Sequence, residues 1–213
     1  MPNPTHLLLV RHAEVEESYH KTFGGRIDMN LSPRGGEQAK ILAGFLRTKG
    51  IEAIYASPMK RVQQTVAPFL ADGAPPQQML RELREVDFGD WTGLNWDQVC
   101  ERFHLLTHEW LDHIERGVAP RGENGAQLRA RVEPCLRRII ESHPGQTVAV
   151  FCHGGVIRMI LSILLDLPLP RTNMFEIEYA SVTQIALHPN HAEIELLNLT
   201  PWRDLAPTGP PRP

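Results

Sequence analysis

The chain has 213 residues and lacks the marks of several protein classes. Its three cysteines, Cys100, Cys135 and Cys152, form no CxxC pair and are odd in number, which argues against a disulfide framework and against a cysteine metal site. Reduced thiols and a cytoplasmic setting are the matching expectation. Long hydrophobic runs are missing too. The longest apolar stretch, Val156 to Leu169, is broken by Arg158, Ser162, Asp166 and Pro168, too short and interrupted for a membrane span. No basic segment followed by an apolar one opens the chain, so no secretory signal is expected. Charge of one sign is not in excess. Lys+Arg 22 against Asp+Glu 25 gives −3, with no global pull toward nucleic acid or an anionic membrane. A local basic pocket remains compatible with that total.

What is present reads as an α/β protein. Hydrophobic residues make up 42%, enough for a sizeable core. Thr5 to Val10 is apolar on both faces, as a central parallel strand is. Ile51 to Ala56, Gln77 to Leu80 and Thr147 to Cys152 are further strands, and Phe175 to Tyr179, Ser181 to Leu187 and Ile194 to Asn198 are expected to close the sheet. Ser32-Pro33 and Ser57-Pro58 each join a cap residue to a first-turn proline, so helices are expected to Lys49 and Leu70. Gly35 and Gly36 weaken the first of these. Asn95 to Gly117 is helical but irregular in pattern. Leu128, Val132, Leu136 and Ile139 mark an amphipathic helix that Pro134 should kink or split. A helix follows His153, to Leu165. The result expected is a three-layer α/β/α sandwich with a mainly parallel sheet. One domain spans residues 1–205, with a lid insert at about 95–125 and a disordered proline-rich tail at 206–213.

Ligands of such sheets bind beyond the carboxyl ends of the strands. Three segments end there: Arg11-His12, Ser57 through Arg61, and His153-Gly154. Guanidinium groups match phosphate oxygens and stay charged. A neutral histidine can attack phosphorus and carry it covalently, provided its other ring nitrogen is fixed. Arg11, Arg61 and His153 would supply the charge that phosphoryl transfer needs, and the N–H groups opening the helix at Gly154 would favour an anion. Carboxylates in the run from Leu83 to Gly93 (Glu85, Asp87 and Asp90, with Glu82 just before) are candidates to protonate a leaving alcohol.

These segments resemble the histidine phosphatase superfamily, the phosphoglycerate-mutase-like proteins. The likeness rests on LLLVRHAE, LSPRG, YASPMKR, LREVDFGDWTG and VFCHGG, in the family's order, and covers the chain from His6 to about Leu205. It implies His12 as nucleophile, Arg11 and Arg61 on phosphate, His153 as the second pocket histidine and Glu85 as proton donor. Ser18, Gly24 and Gly25 match positions near the substrate. No metal and no cofactor are implied. EVDFGDWTG and the short stretch after Trp91 are similar to the phosphatase branch that includes alpha-ribazole phosphatases. The function expected is therefore a metal-independent phosphomonoesterase that forms phosphohistidine and acts on a small phosphorylated metabolite. A phosphoglycerate mutase and a non-catalytic phosphate-binding module are the alternatives. The chain departs from the family at Ala13, where glycine is commoner, at Arg26, where mutase-like members often carry tryptophan, and at Asn124, where serine is usual.

Other features carry weaker expectations. His104 and His108 are four apart, but no third ligand is evident, so surface or lid histidines are expected and no metal. Trp91, Trp96 and Trp110 either line the cleft or pack beneath the lid. Tyr179 to Asn198 offers an edge strand for pairing into a homodimer. The expected partners are a small phosphorylated substrate or inorganic phosphate, with neither nucleic acid nor membrane.

Overall fold

A computed structural model describes residues 3–71, 73–105 and 109–205. Six strands form one mixed sheet: β1 (Thr5–Arg11), β2 (Ala53–Ala56), β3 (Gln77–Met79), β4 (Thr147–Cys152), β5 (Val182–Leu187) and β6 (Ala192–Leu199). Their spatial order is β3-β2-β4-β1-β5-β6. The first four in that order run parallel, and β5 and β6 are antiparallel additions at one side.

The side-chain alternation of the strands sorts the core into two layers. Leu7, Leu9, Val148 and Val150 face α5 (Gly125–Ser142) and α6 (Gly154–Leu164). Leu8, Val10, Ala149 and Phe151 face α1 (Pro33–Leu46) and α2 (Lys60–Leu70). Leu7, Leu8 and Leu9 have no exposed surface, so truncating any of them to alanine should cost about 2–5 kcal/mol. A strand buried this completely is a rigid mount for whatever follows it.

Local structure departs from the sequence reading in four places. Ser57 does not cap α2; the helix begins at Lys60 after Met59, because the Ser57 hydroxyl is engaged with His153 instead. Phe175 to Tyr179 forms no strand. Its polar groups bond elsewhere: Ile177 O accepts from Arg11, Glu178 N donates to the Asn198 side chain, and Tyr179 O accepts from Trp202. Pro134 does not split α5, which runs through it, held by Leu128, Val132, Leu136 and Ile139 in the core. Gly35 is a packing requirement rather than a weakness, since a Cβ there would lie 2.0 Å from Glu14 O.

The irregular stretch after β3 contains α3 (Trp96–Phe103) and α4 (Trp110–Arg116). Asn95 caps α3 and Asn124 caps α5, each in a reciprocal box with a glutamine three residues on. Asn124 thus works as a cap, a role serine also fills well. Phe23 N donates to Leu94 O and Gly93 N to Phe23 O, which ties the loop before Gly24 to the entrance of α3. The Pro-rich residues 206–213 and His108 lie outside the described residues. No helix among the described residues is long and apolar enough to cross a membrane.

Candidate active site

Beyond the carboxyl end of β1 the backbone is held from both sides. His12 N donates to Cys152 O, and Ala180 N donates to His12 O, both at 3.1 Å. Ala13 N donates to Thr65 Oγ1 on α2 at 2.9 Å. This aims the Ala13 carbonyl back at the His12 ring, where His12 Nδ1 donates to it at 2.9 Å. A carbonyl only accepts, so the proton is on Nδ1 and Nε2 keeps its lone pair. Burial first, then Arg61 and Arg11, push His12 well below the usual histidine value, so the ring is neutral.

Arg61 Nε donates to His12 Nε2 at 3.2 Å. Its other nitrogens donate to Ile27 O at 2.8 Å and Gly25 O at 3.0 Å. One guanidinium thus joins the candidate nucleophile to the glycine loop. Gly25 has φ +47, and a Cβ at Gly24 would lie 2.4 Å from Met29 Cε, so this loop has room for little else. Arg11 stacks over the Tyr179 ring at 4.2 Å, and its Nη1 donates to Ile177 O at 2.5 Å. Its Nε is buried without a partner among the described residues.

His153 has no exposed surface. Its Nε2 meets Ser57 Oγ at 2.9 Å, its ring lies 5.2 Å from that of His12, and its Nδ1 has no partner among the described residues. Burial first, then Arg61, His12 and Arg11, lower its pKa well below the usual value. A phosphate dianion would act in the opposite sense. Orphaned buried donors on Arg11 and His153 are what an anion-binding site leaves in waiting.

The four carboxylates that were candidates for the proton donor separate clearly. Asp87 pairs with Arg26, Asp90 with Arg121, and Glu82 faces Arg138. Glu85 lines the cavity. Its Oε1 accepts from Val86 N at 3.0 Å, and its Oε2 lies 3.4 Å from Gly155 N at the start of α6. Behind it, Arg131 holds Glu123 through Nε at 2.6 Å and Nη2 at 2.8 Å, and Nη2 also donates to Glu85 O at 3.2 Å. Glu123 therefore supports the Glu85 segment.

The resulting cavity measures about 370 Å³. Arg11, His12, Arg61, Glu85, Gly154, Gly24 and Gly25 all line it, while His153 lies buried behind His12. Ser18 is exposed on the turn Glu17–Tyr19 and is not in the wall; its neighbour Tyr19 is. Trp96, Trp110, Phe23 and Phe88 form the apolar side, whereas Trp91 is 1% exposed and packs beneath. Three site residues were not singled out from the sequence: Gly155, Arg158 and Tyr179. HGGVIR placed Gly155 and Arg158 one helical turn apart at most, a spacing that would have revealed both.

Among the described residues, the grouping with metal-ligand spacing is His188, His191 and Glu193, whose donor atoms lie within 4.8 Å of one another. It sits at the β5–β6 turn. Leu187 pairs with Thr5, so this turn is at the opposite end of β1 from His12. His104 caps α3 in an exposed left-handed conformation, away from the cavity wall.

Comparison with known proteins assigns the chain to a family. Residues 7–200 match the family model of the histidine phosphatase superfamily, branch 1. A phosphoserine phosphatase 1 of Hydrogenobacter thermophilus is 32% identical, over 91% of this chain and 92% of that protein. An adenosylcobalamin/alpha-ribazole phosphatase of Escherichia coli is 26% identical, over 90% and 95% respectively. The solved alpha-ribazole phosphatase of Shigella flexneri shares the fold with a TM-score of 0.80, covering 92% of this chain and 96% of that one at 24% identity. On sequence and fold together, the chain belongs to branch 1 of the histidine phosphatase superfamily and is a phosphatase.

Proposed function

We propose that the protein is a metal-independent phosphomonoesterase that works through a phosphohistidine at His12 on a small phosphorylated metabolite. The observation that carries this reading is the His12 tautomer. Its Nδ1 proton is committed to Ala13 O, and a lone pair on Nε2 faces the arginines. In the first step the Nε2 lone pair forms an N–P bond while the P–O bond to the leaving group breaks. Protonated Glu85 gives its proton to the departing oxygen. Arg11 and Arg61 meet the charge on the equatorial oxygens, and the Gly154 end of α6 adds a favourable dipole. Positive charge that develops on the imidazole is met by Ala13 O at Nδ1. In the second step Glu85 takes a proton from water, the water oxygen bonds to phosphorus, and the N–P bond breaks to release phosphate and neutral His12. The cavity size suits a small molecule, and relatives named as phosphoserine phosphatase and adenosylcobalamin/alpha-ribazole phosphatase support a phosphorylated metabolite.

The test is phosphate release from p-nitrophenyl phosphate between about pH 5 and 8 in EDTA, wild type against His12→Ala. Turnover that resists EDTA and disappears in His12→Ala is expected, together with an acid-labile, alkali-stable phosphoprotein on rapid quenching. Turnover unchanged in His12→Ala would overturn the assignment of the nucleophile. Conversion of 3-phosphoglycerate to its 2-isomer without free phosphate would replace hydrolysis by a mutase.

A further inference from the structure

The cavity holds one guanidinium more than a phosphate clamp explains. Arg158 follows Gly154 by four residues on α6, a rise of about 6 Å, and lines the same wall. Its Nη1 donates to Thr172 O, which pins the side chain against the turn Leu169–Met174. Other arginines around the site have carboxylates: Arg26 has Asp87, Arg121 has Asp90, and Arg131 has Glu123. Arg158 has no ion pair among the described residues. Burial and neighbouring Arg11 push its guanidinium down to about 10, with Glu85 opposing them. A partly buried cation that no carboxylate pairs with directly is unfavourable, and its complement is then expected to arrive with the ligand.

A charge count identifies that complement. Arg11, Arg61 and Arg158 bring three positive charges to the cavity. A phosphomonoester brings about two negative charges. Glu85 is neutral when it acts as proton donor, so one positive charge is left over. This inference rests on the phosphomonoesterase reading above. We propose that Arg158 forms a second anion subsite, and that the substrate is a phosphomonoester whose leaving group carries a carboxylate held by the Arg158 guanidinium. A carboxylate has the missing single charge, and its two oxygens match the planar fork. A helical turn between Gly154 and Arg158 matches a short carbon chain between phosphate and carboxylate. Arg158 is then a specificity-determining residue, and Thr172 O is its positioning partner.

The test uses two matched pairs of competitors against p-nitrophenyl phosphate hydrolysis. O-Phosphoserine and O-phosphoethanolamine differ only by a carboxylate; 3-phosphoglycerate and glycerol 3-phosphate differ by carboxylate against hydroxymethyl. Competition reports affinity whether or not a competitor is turned over. In wild type the carboxylate member of at least one pair is expected to compete about tenfold better. In Arg158→Gln that ratio should fall to within about twofold, and Arg158→Lys should restore part of it. Both ligands are compared on the same variant, so a general folding defect cancels from the ratio. A wild-type ratio near one, equal weakening of both members in Arg158→Gln, or no competition by any of the four would overturn the proposal. A wild type that fails on p-nitrophenyl phosphate refutes the hydrolase reading instead, and calorimetry on the same ligands still reads the ratio.

Discussion

Gly155 tests the placement of the proton donor without replacing a reacting group. A Cβ at this position would lie 2.6 Å from Glu85 Oε1 and 2.6 Å from Val86 Cγ2. Ordinary contact begins near 3.4 Å, so in Gly155→Ala the carboxylate must retreat by about 0.8 Å. Misplacement on that scale costs on the order of 100-fold where the displaced group acts in the transition state. Val86 is 1% exposed and resists moving, so Glu85 takes most of the shift. Alanine's better helix propensity, about 1 kcal/mol, offsets part of the strain and the fold should persist. The loss should depend on the leaving group. An alkyl phosphate needs a proton on its departing oxygen; p-nitrophenolate leaves as a stable anion. We expect kcat/KM, which reports phosphoryl transfer to His12 and not the later attack of water, to drop about 100-fold on an alkyl phosphate and to stay within about threefold on p-nitrophenyl phosphate, with Glu85→Gln showing the same split. An equal loss on both substrates, or none on either, would refute the assignment of Glu85 as the acid poised against α6.

Three further outcomes follow from the site's geometry. Ser57→Ala leaves His153 Nε2 without its partner in a fully buried position and should cost about 1–3 kcal/mol in chemical denaturation, with weaker inhibition by inorganic phosphate. Arg131→Met strands the part-buried Glu123 carboxylate and frees Glu85 O, so a loss of about 1–3 kcal/mol is expected; the double variant Arg131→Met/Glu123→Leu should recover much of it in a double-mutant cycle. His12 and His153 both have pKa values lowered by burial, so the unfolded chain binds protons that the folded protein does not. Stability contributed by the two neutral rings is present above the unfolded value near 6.5 and is lost as pH falls below it, by up to about 3 kcal/mol per pH unit. Urea midpoints that stay flat from about pH 7.5 to 5 would contradict neutral rings at these positions.

The sheet was legible because its strands are continuous apolar runs, and such runs have one common use. LLLV before Arg11-His12 and VAVFC before His153 read directly as neighbours in a parallel sheet, which β1 and β4 are. What stayed hidden depends on partners distant in sequence. Ser57 looks like a helix cap until His153, 96 residues away, claims its hydroxyl. Phe175 to Tyr179 has strand composition, yet Arg11, Asn198 and Trp202 take its backbone groups. Glu85 could not be told from Asp87, Asp90 and Glu82 by position alone; the salt bridges of the other three set it apart. Ser18 and Tyr19 differ by one residue on a tight turn, and only the turn's orientation says which side chain meets the cavity.

The central place of β1 has a consequence for how the protein opens. Arg11 and His12 end a strand hydrogen-bonded on both edges, and β4 beside it delivers His153. Amides there should exchange with deuterium only on global unfolding, whereas α3 and α4, which carry the cavity-lining Trp96 and Trp110, should exchange through local opening. The apolar part of the cavity wall thus resides in a different cooperative unit from the chemistry and from Arg158 on α6. Substitution of Trp96 or Trp110 would therefore reshape that wall while leaving the last part of the molecule to melt, and the bond-breaking machinery mounted on it, as they were.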